Sequence, residues 1–458
     1  MPFENEFASG ESLLTLETSL STSRAFREFR GQVRIEPPSG GGGLPLVIDV
    51  PRRNWTPSRV IAFDGSTISE ALVNGFPMAE ASLVKVSVVR VDLSRLTALP
   101  EDEIPSPRLF YEMERASTFD LVLPGANVVR SDVADDTPKA YFREAAFSAF
   151  DAKLDDNHET LLETMRDIIA RAPWPRSNPP GCPVEGCEER LAWGTGAYAC
   201  TCPRAATLYE TDALRFAEGF NEVGSNGEAH GEVRHALEVI SLLNMLRYFA
   251  RDRARIGYLR EAVFILDGPL ALFGHPAWLT PYVRLELRRI NDLCRAEGFD
   301  LALFGYEKSG AFVEHFERLD MCPDRGPRGK HPNRTAFAPD AAYINRNIAL
   351  RPEDAKPHGT DTYFGRKIFY KTASGGHAVI TTAMVNEASR DFRRCDAECF
   401  PRLGDMLNVL DHLATHLHRD GFMPLVRAHA HAAIPLRRGG DIIRTLFRDV
   451  SNGPAPAP

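Results

Sequence analysis

Val60-Ile61-Ala62-Phe63-Asp64-Gly65-Ser66-Thr67 runs four apolar residues into a carboxylate and then into small, turn-forming residues. An apolar run bounded this way reads as a buried strand that delivers its acid to the edge of a sheet. The same grammar returns far downstream in Ala262-Val263-Phe264-Ile265-Leu266-Asp267-Gly268. Around the second copy strand and helix alternate: a helical stripe over Val283 to Leu293 is followed by the apolar run Leu301-Ala302-Leu303-Phe304-Gly305. The expected class is therefore α/β, a mixed β-sheet flanked by helices, with both Asp-Gly steps at strand ends.

Working outward, Ala81 to Leu93 alternates, with Val84, Val86 and Val88 on one side and then Val89, Val91 and Leu93 in the opposite phase. The change of phase predicts a bulge. Leu109 to Met113 and Phe119 to Leu123 also read as strands. Leu161, Leu162, Met165, Ile168 and Ile169 share one helical face, and Pro173 and Pro175 end that helix. Thr211 to Phe249 reads as helix broken around Gly224 to Gly227, and Val233, Leu237, Ile240, Leu243 and Leu246 make its second half the strongest helix in the chain. Residues 321–362, rich in Pro, Asp and Arg, read as a long loop region; Ile368 to Tyr370 and Ala378 to Met384 flank Gly375-Gly376 as a hairpin; Gly404 to His418 reads as helix. Pro37 and Pro38 before Gly40 to Gly43 mark a linker, so residues 1–43 are expected as an N-terminal arm with a Gly-rich linker and 44–450 as the main domain. An insertion at 178–203 interrupts that domain, and 451–458 is expected to be a disordered tail.

Composition sets limits. With 458 residues, 43% hydrophobic and 25% charged, the chain is long enough for a substantial core and too apolar to be disordered as a whole. Its net charge of −8 carries no general basic field, so any nucleic-acid site must be a local groove. No apolar run approaches the roughly 20 residues that span a bilayer, and Met1 to Gly10 lacks the basic and apolar regions of a signal peptide, so a cytoplasmic protein without membrane contact is expected.

Hydrolysis of a phosphodiester by divalent metals needs hard oxygen ligands around ions roughly 3.5 to 4 Å apart. Asp64 and Asp267 suit that work, although either alone reads equally as an aspartate capping a turn. Glu238 lies beside the buried stripe of the strongest helix, where it is either a carboxylate paired with an arginine or a third ligand reaching the strand acids. His429 and His431, in Ala428-His429-Ala430-His431, are either structural histidines or a nitrogen ligand for Mn²⁺. Cys182, Cys187, Cys200 and Cys202 are spaced by four, twelve and one residues, two close pairs that can wrap a structural Zn²⁺ as a zinc knuckle. The alternative is four reduced thiols in a loop. Arg190, Trp193 and Arg204 beside them would give the knuckle a DNA-contacting surface. Cys294, Cys322, Cys395 and Cys399 read as free thiols.

The order of these features resembles the NurA nucleases: Asp64-Gly65-Ser66 after a first strand, the helical Glu238, Asp267-Gly268 after a second, Gly305-Tyr306-Glu307-Lys308, and the late Pro424-Leu425-Val426-Arg427-Ala428-His429. The resemblance runs from about residue 55 to 440 and implies a core similar to the ribonuclease H fold. It also implies that Asp64, Glu238, Asp267 and His429 hold Mn²⁺ or Mg²⁺ and that Lys308 touches a phosphate. The implied activity is cleavage of DNA, on single strands and from 5′ ends of duplexes, by a homodimer working with the hexameric translocase HerA in end processing or antiviral defence. Two departures stand out. Glu238 precedes Asp267 by 29 positions, so Glu232 and Glu228 remain alternatives, and Pro269 replaces the serine expected after the second Asp-Gly. Two rival readings remain, a catalytically inactive zinc-bearing DNA-binding or scaffold subunit and a small-molecule phosphohydrolase. The commonest aspartate-based phosphohydrolases need a second aspartate two residues after the first, and Ser66 stands there.

Overall fold

The computed structural model describes residues 23–33, 45–48, 55–73, 79–93, 114–154, 159–173, 180–184, 187–321, 329–352, 354–383, 391–393, 395, 397–415, 421–422 and 445. His429, His431, Cys322, the proposed strand at Leu109 to Met113, the Gly-rich linker and the C-terminal tail lie outside them. The chain divides into two units, Met1–Leu44 and Pro45–Pro458. In the first, helix α1 (Arg24–Gln32) starts at Ser23, whose hydroxyl accepts from the Phe26 N–H at 3.4 Å.

The second unit is built on one nine-stranded sheet. Its strands in chain order are β1 (Leu46–Ile48), β2 (Arg59–Val73), β3 (Ala79–Asp92), β4 (Glu114–Pro124), β7 (Ala262–Asp267), β8 (Leu303–Glu307), β9 (Ala336–Ala338), β10 (Gly365–Lys371) and β11 (His377–Ala383), while β5 (Ala197–Ala199) and β6 (Thr207–Tyr209) form a separate hairpin. The large sheet has the order β1-β9-β10-β11-β8-β7-β2-β3-β4. It is mostly antiparallel; the parallel pairs are β2 with β7 and β7 with β8. Both Asp-Gly sequences thus sit on the two neighbouring parallel strands at the middle of the sheet.

Strand parity explains the burial. Ile61 and Phe63 of β2, Val84, Val86 and Val88 of β3, and Phe264 and Leu266 of β7 face one layer. That layer contains helices α2 (Pro138–Phe150), α3 (Leu161–Ala170), α4 (Gly227–Ala250), α5 (Arg253–Arg260) and α6 (Thr280–Ala296). Val60, Ala62, Val89, Val91, Val263 and Ile265 face the other way, against Cys395, Phe400 and the Leu403–Leu413 helix. The phase change at Val88-Val89 is therefore not a bulge. Pairing runs unbroken from Phe63↔Val88 to Ala62↔Val89, and the pattern shifts because this part of β3 is buried on both faces.

Helix α4 sets the position of everything near the acids. At its start, the Glu80 carboxylate accepts from the Asn226 N–H at 2.8 Å and the Ser225 hydroxyl at 3.1 Å, an anion at the positive end of the helix. At its far end, buried Arg247 bonds Glu286 of α6 at 2.8 Å and Asp167 of α3 at 2.7 Å, so three helices share one guanidinium. Helix α3 opens with a capping box in which Thr160 and Glu163 satisfy each other's backbone N–H groups at 3.1 and 2.7 Å.

Several sequence expectations change. The first half of the Thr211 to Phe249 pattern is two short 3₁₀ turns, Glu210–Leu214 and Phe216–Glu218, fixed by buried polar contacts of Glu210 and Asp212 rather than by an apolar stripe. The region 321–362 is not all loop: it holds β9 and the helix Ala341–Asn347, capped by Asp340. The helix expected to reach His418 stops at Leu413, where the chain enters the short strand Ala414–Thr415. The hairpin around Gly375-Gly376 forms as expected, with Ile368 opposite Ile380. Cys294 is a free, buried thiol, and Cys395 and Cys399 are buried as well. No helix among the described residues is long and apolar enough to cross a membrane.

Candidate active site

The two Asp-Gly steps do different structural jobs. β2 does not end at Asp64; it continues to Val73, with Asp64 opposite Ser87 of β3. What ends at Phe63↔Leu266 is the parallel pairing with β7, so Asp64 lies where the two strands part. Asp267 is the last residue of β7, and Gly268, at φ +93°, turns the chain there. Asp64 follows Val60 and Ala62, and Asp267 follows Val263 and Ile265, so both acids are on the same face of the sheet.

Gly65 points to the opposite face, where α4 packs. A Cβ at Gly65 would lie 2.2 Å from Glu238 Oε1, so the glycine lets the helix carboxylate come up against the strand backbone. Glu238 therefore fills the space beside Gly65. At Gly305 a Cβ would lie 2.3 Å from the Gly268 carbonyl oxygen, so the β8 glycine lets the Gly268-Pro269-Leu270 turn cross beside Asp267.

Asp267 and Glu238 are each held by a named partner. Lys308 Nζ donates to Asp267 Oδ2 at 2.7 Å. Arg234 forms an ion pair with Glu238 Oε1 and donates to the Gly65 carbonyl at 3.0 Å, while His235 Nδ1 lies 3.3 Å from Glu238 Oε2 and its Nε2 lies 2.9 Å from the Ala271 carbonyl. Burial of Asp64, the neighbouring charges of Asp267 and Glu238, and a hydrogen bond to the Asp267 carboxyl push its pKa up to about 8, against a smaller opposing pull from Lys308. Burial alone would raise Glu238, yet Arg234 and His235 together hold it below the usual carboxylate range. Beside Asp64, the Ser87 hydroxyl is buried with no hydrogen-bond partner among the described residues.

These features test whether a divalent ion suits the site. The donors are hard oxygens, the crowding of Asp64 by its neighbouring carboxyls favours its protonated form, and an orphaned hydroxyl sits next to it; a cation replacing that proton would relieve the repulsion. The chain therefore fits a hard divalent ion at Asp64 and Asp267. Glu238, already paired, adjoins through Gly65. Sequence reasoning passed over His235 and Ser87, although His235 stands three residues before Glu238, on the same side of α4, and Ser87 follows from the pairing of β3. Glu232, an alternative to Glu238, is engaged elsewhere: it lies 3.0 Å from His275 Nδ1. Glu228 is exposed in the first turn of α4. The 29-residue separation of Glu238 and Asp267 is filled by the rest of α4 and by α5.

The cysteines form a second cluster. Their four sulfurs all lie within 4.8 Å of one another, the one set of three or more His, Cys, Asp or Glu ligand atoms that close among the described residues. Cys182 and Cys202 sulfurs are 4.0 Å apart and those of Cys187 and Cys200 are 3.5 Å apart. Thiolates about 2.3 Å from a tetrahedral zinc would be about 3.8 Å from each other, so the set fits such an ion. Two small hairpins carry it: Cys182 N–H donates to the Glu189 carbonyl at 2.8 Å, and Cys200 N–H to the Ala206 carbonyl at 2.9 Å. The latter turn belongs to β5 and β6, so the folded knuckle extends to Tyr209. A hydrogen bond from the Ala206 backbone, the largest influence, draws the Cys202 thiol down to about 7, toward the thiolate that a metal requires.

No protein-family model matches the chain, and no curated protein matches it. Among solved structures it is similar to the crystal structure of the NurA nuclease from Sulfolobus solfataricus, at 9% identity and a TM-score of 0.34, with 98% of this chain and 96% of that one covered. A second crystal structure of NurA aligns at 9% identity and a TM-score of 0.26, over 97% of this chain and 96% of that one. A likeness at this level carries no argument about chemistry.

Proposed function

We propose that the protein is a metal-dependent DNA nuclease with a ribonuclease-H-like core, in which Asp64, Asp267 and Glu238 form the metal shell and His429 completes it. The observation that carries the reading is the meeting of Asp64 and Asp267 where two parallel strands diverge, with Glu238 brought up beneath Gly65. Three buried or half-buried acids gathered at the middle of a sheet destabilise the fold unless a cation or proton joins them, and such sites are characteristically functional.

Mn²⁺ or Mg²⁺ held there supplies the charge that lowers the pKa of an attacking water and stabilises the leaving oxygen. The chain's own residues do the rest. Asp64 and Asp267 fix the ligand oxygens on rigid strands, and Arg234 with His235 orients Glu238. Lys308, half-buried beside Asp267, shares its charge in this reading between that carboxylate and a substrate phosphate. Zn²⁺ on Cys182, Cys187, Cys200 and Cys202 is structural in this reading. The motif order quoted above supports, as further parts of the proposal, DNA as substrate, cutting of single strands and of 5′ ends, a homodimer and a HerA-type translocase as partner; a cytoplasmic site of action belongs to the proposal as well.

The test is incubation of end-labelled single- and double-stranded DNA with the protein and Mn²⁺, beside Asp64→Ala. Cleavage by the wild type that the variant loses by about 10³-fold, equivalent to about 4 kcal/mol of transition-state stabilisation, is expected. Equal cleavage by both, or none by either, sinks the assignment.

A further inference from the structure

On the helical face of the sheet, opposite the side to which Asp64 and Asp267 point, a cavity of about 750 Å³ opens between β3, β4 and the ends of α4 and α5. This volume falls within the range of sites for small organic ligands, about 300–1,000 Å³. Two features of its lining are unusual together.

The first is charge. Arg90 of β3 and Arg115 of β4 are directly opposed in the sheet register, and both line the cavity. Like charges directly opposite across two strands destabilise a sheet. Both are exposed, as is Lys153 at the same rim, and none of the three takes part in an ion pair among the described residues. Elsewhere this chain, with its net charge of −8, pairs its cations freely: Arg247 alone contacts Glu159, Asp167 and Glu286.

The second is an aromatic wall. Phe249 and Tyr258 stack with centroids 4.2 Å apart and planes 2° from parallel. Tyr248 packs edge-on against Phe249 at 5.2 Å. The Arg59 guanidinium lies 4.6 Å from the Tyr258 ring centroid and that of Arg255 lies 4.4 Å from the Tyr248 centroid. The Tyr258 hydroxyl behind this wall is buried with no hydrogen-bond partner among the described residues. An aromatic wall beside three cations that form no ion pair among the described residues matches one ligand chemistry, a flat aromatic ring joined to a multiply charged anion.

We propose that this cavity binds a nucleoside polyphosphate. Its base lies against the Phe249 and Tyr258 wall, and its phosphates are held by Arg90, Arg115 and Lys153. The site is distinct from the acid cluster and does not depend on the nuclease reading.

Calorimetric titration of the whole protein with ATP, adenosine and inorganic tripolyphosphate tests it. ATP should bind, with adenosine and tripolyphosphate each weaker by at least about tenfold, because each supplies half of the recognition. Arg90→Ala with Arg115→Ala should weaken ATP by about 10²-fold without lowering the thermal midpoint, since it removes a like-charge pair. Lys153→Ala, at an exposed rim position, should weaken it by about tenfold and guards against misfolding of the double variant. Absence of ATP binding overturns the proposal, as does ATP binding undiminished in both variants. A single-stranded oligonucleotide bound through Arg90 and Arg115 while ATP is not would also overturn it, marking the cavity as part of a strand path.

Discussion

The acid cluster and the cysteine cluster both gather groups that repel one another when ionised, and the protein holds them in opposite ways. Asp267 faces Lys308, and Glu238 faces Arg234 and His235. Among the described residues no cation is paired with the thiols; an acid, Glu189, instead accepts from the Thr201 backbone N–H at 3.3 Å and from Cys200 Sγ at 3.5 Å. The acids stand on strands whose core of Phe63, Phe264 and Leu266 exists without them. The thiols join two small hairpins whose further buried apolar support among the described residues is Leu191, Leu208 and Ala213, with Trp193, Tyr198 and Trp278 partly buried against them. The sheet builds the acid site, whereas the knuckle depends on its own ligands.

The largest effect should follow from removing a thiol. Cys200→Ser, or extraction of metal by a strong chelator, should destabilise residues 181–209 by about 4 kcal/mol, at the upper end of single-substitution effects because a metal site is lost. Limited proteolysis should then cut in this segment while the large sheet persists, and elemental analysis should find about one zinc per chain before treatment and none after it. An unchanged melting curve together with absence of zinc would reduce the knuckle to four thiols in a loop and remove one side of the contrast.

A smaller loss is expected at Gly65. Its φ is ordinary strand geometry, so Gly65→Ala carries no backbone strain; the new methyl instead meets Glu238 Oε1 at 2.2 Å. Displacing a buried, paired carboxylate should cost about 2 kcal/mol and lower DNA cleavage with it. If Gly65→Ala restores full stability when combined with Glu238→Ala, the clash is the cause; if the two losses add, Gly65 matters for another reason.

Legibility in the sequence follows from how local each cause is. The apolar run into Asp267 is read correctly because Gly268 ends the strand within the motif itself. Asp64-Gly65 carries the same letters, but β2 continues past it because β3 supplies a partner as far as Ala79, paired with Val73, a long-range fact absent from the motif. The phase change in β3 has the same origin, since only the Leu403–Leu413 helix on the second face explains why Val89 and Val91 are buried. Glu238 can be picked out from its place beside the apolar stripe of α4, but not its approach through Gly65. Ser87 becomes legible only once β3 is paired with β2, because nothing nearby in sequence says that it faces Asp64.

Proton linkage separates the clusters further, with an effect on the order of 1 kcal/mol at neutral pH after allowing for relaxation. Asp64, at about 8 in the folded protein, is well above its ordinary value of 3.8. Between those values the folded state holds a proton that the unfolded chain has released, so metal-free stability falls as pH rises through that window and the penalty is complete above about 8. Asp64→Asn cannot ionise and should lack this slope. Melting both proteins without metal from pH 5 to 8 should give curves that diverge as pH rises, with the variant the more stable at the alkaline end. Parallel curves would show that Asp64 is not crowded by Asp267 and Glu238.

Lys308 gives the smallest expected change and the sharpest test of whether the acid site is balanced by its own cations. It pairs with Asp267 at 2.7 Å, is about one-third exposed (31%), and is the charge that opposes the upward shift of Asp64. A partly exposed pair contributes less than about 1 kcal/mol to stability, so Lys308→Ala should melt close to the wild type. Its consequence lies in the protonation of the neighbours: without the ammonium group, Asp64 is shifted further upward, and the proton competes with a divalent ion over a wider pH range. Cleavage at neutral pH should fall about tenfold and recover as pH or Mn²⁺ concentration rises. Lys308→Arg should keep most of the activity at neutral pH. A loss in Lys308→Ala that neither pH nor metal restores would instead place the lysine on the substrate phosphate, acting on the reaction rather than on the acids that hold the ion.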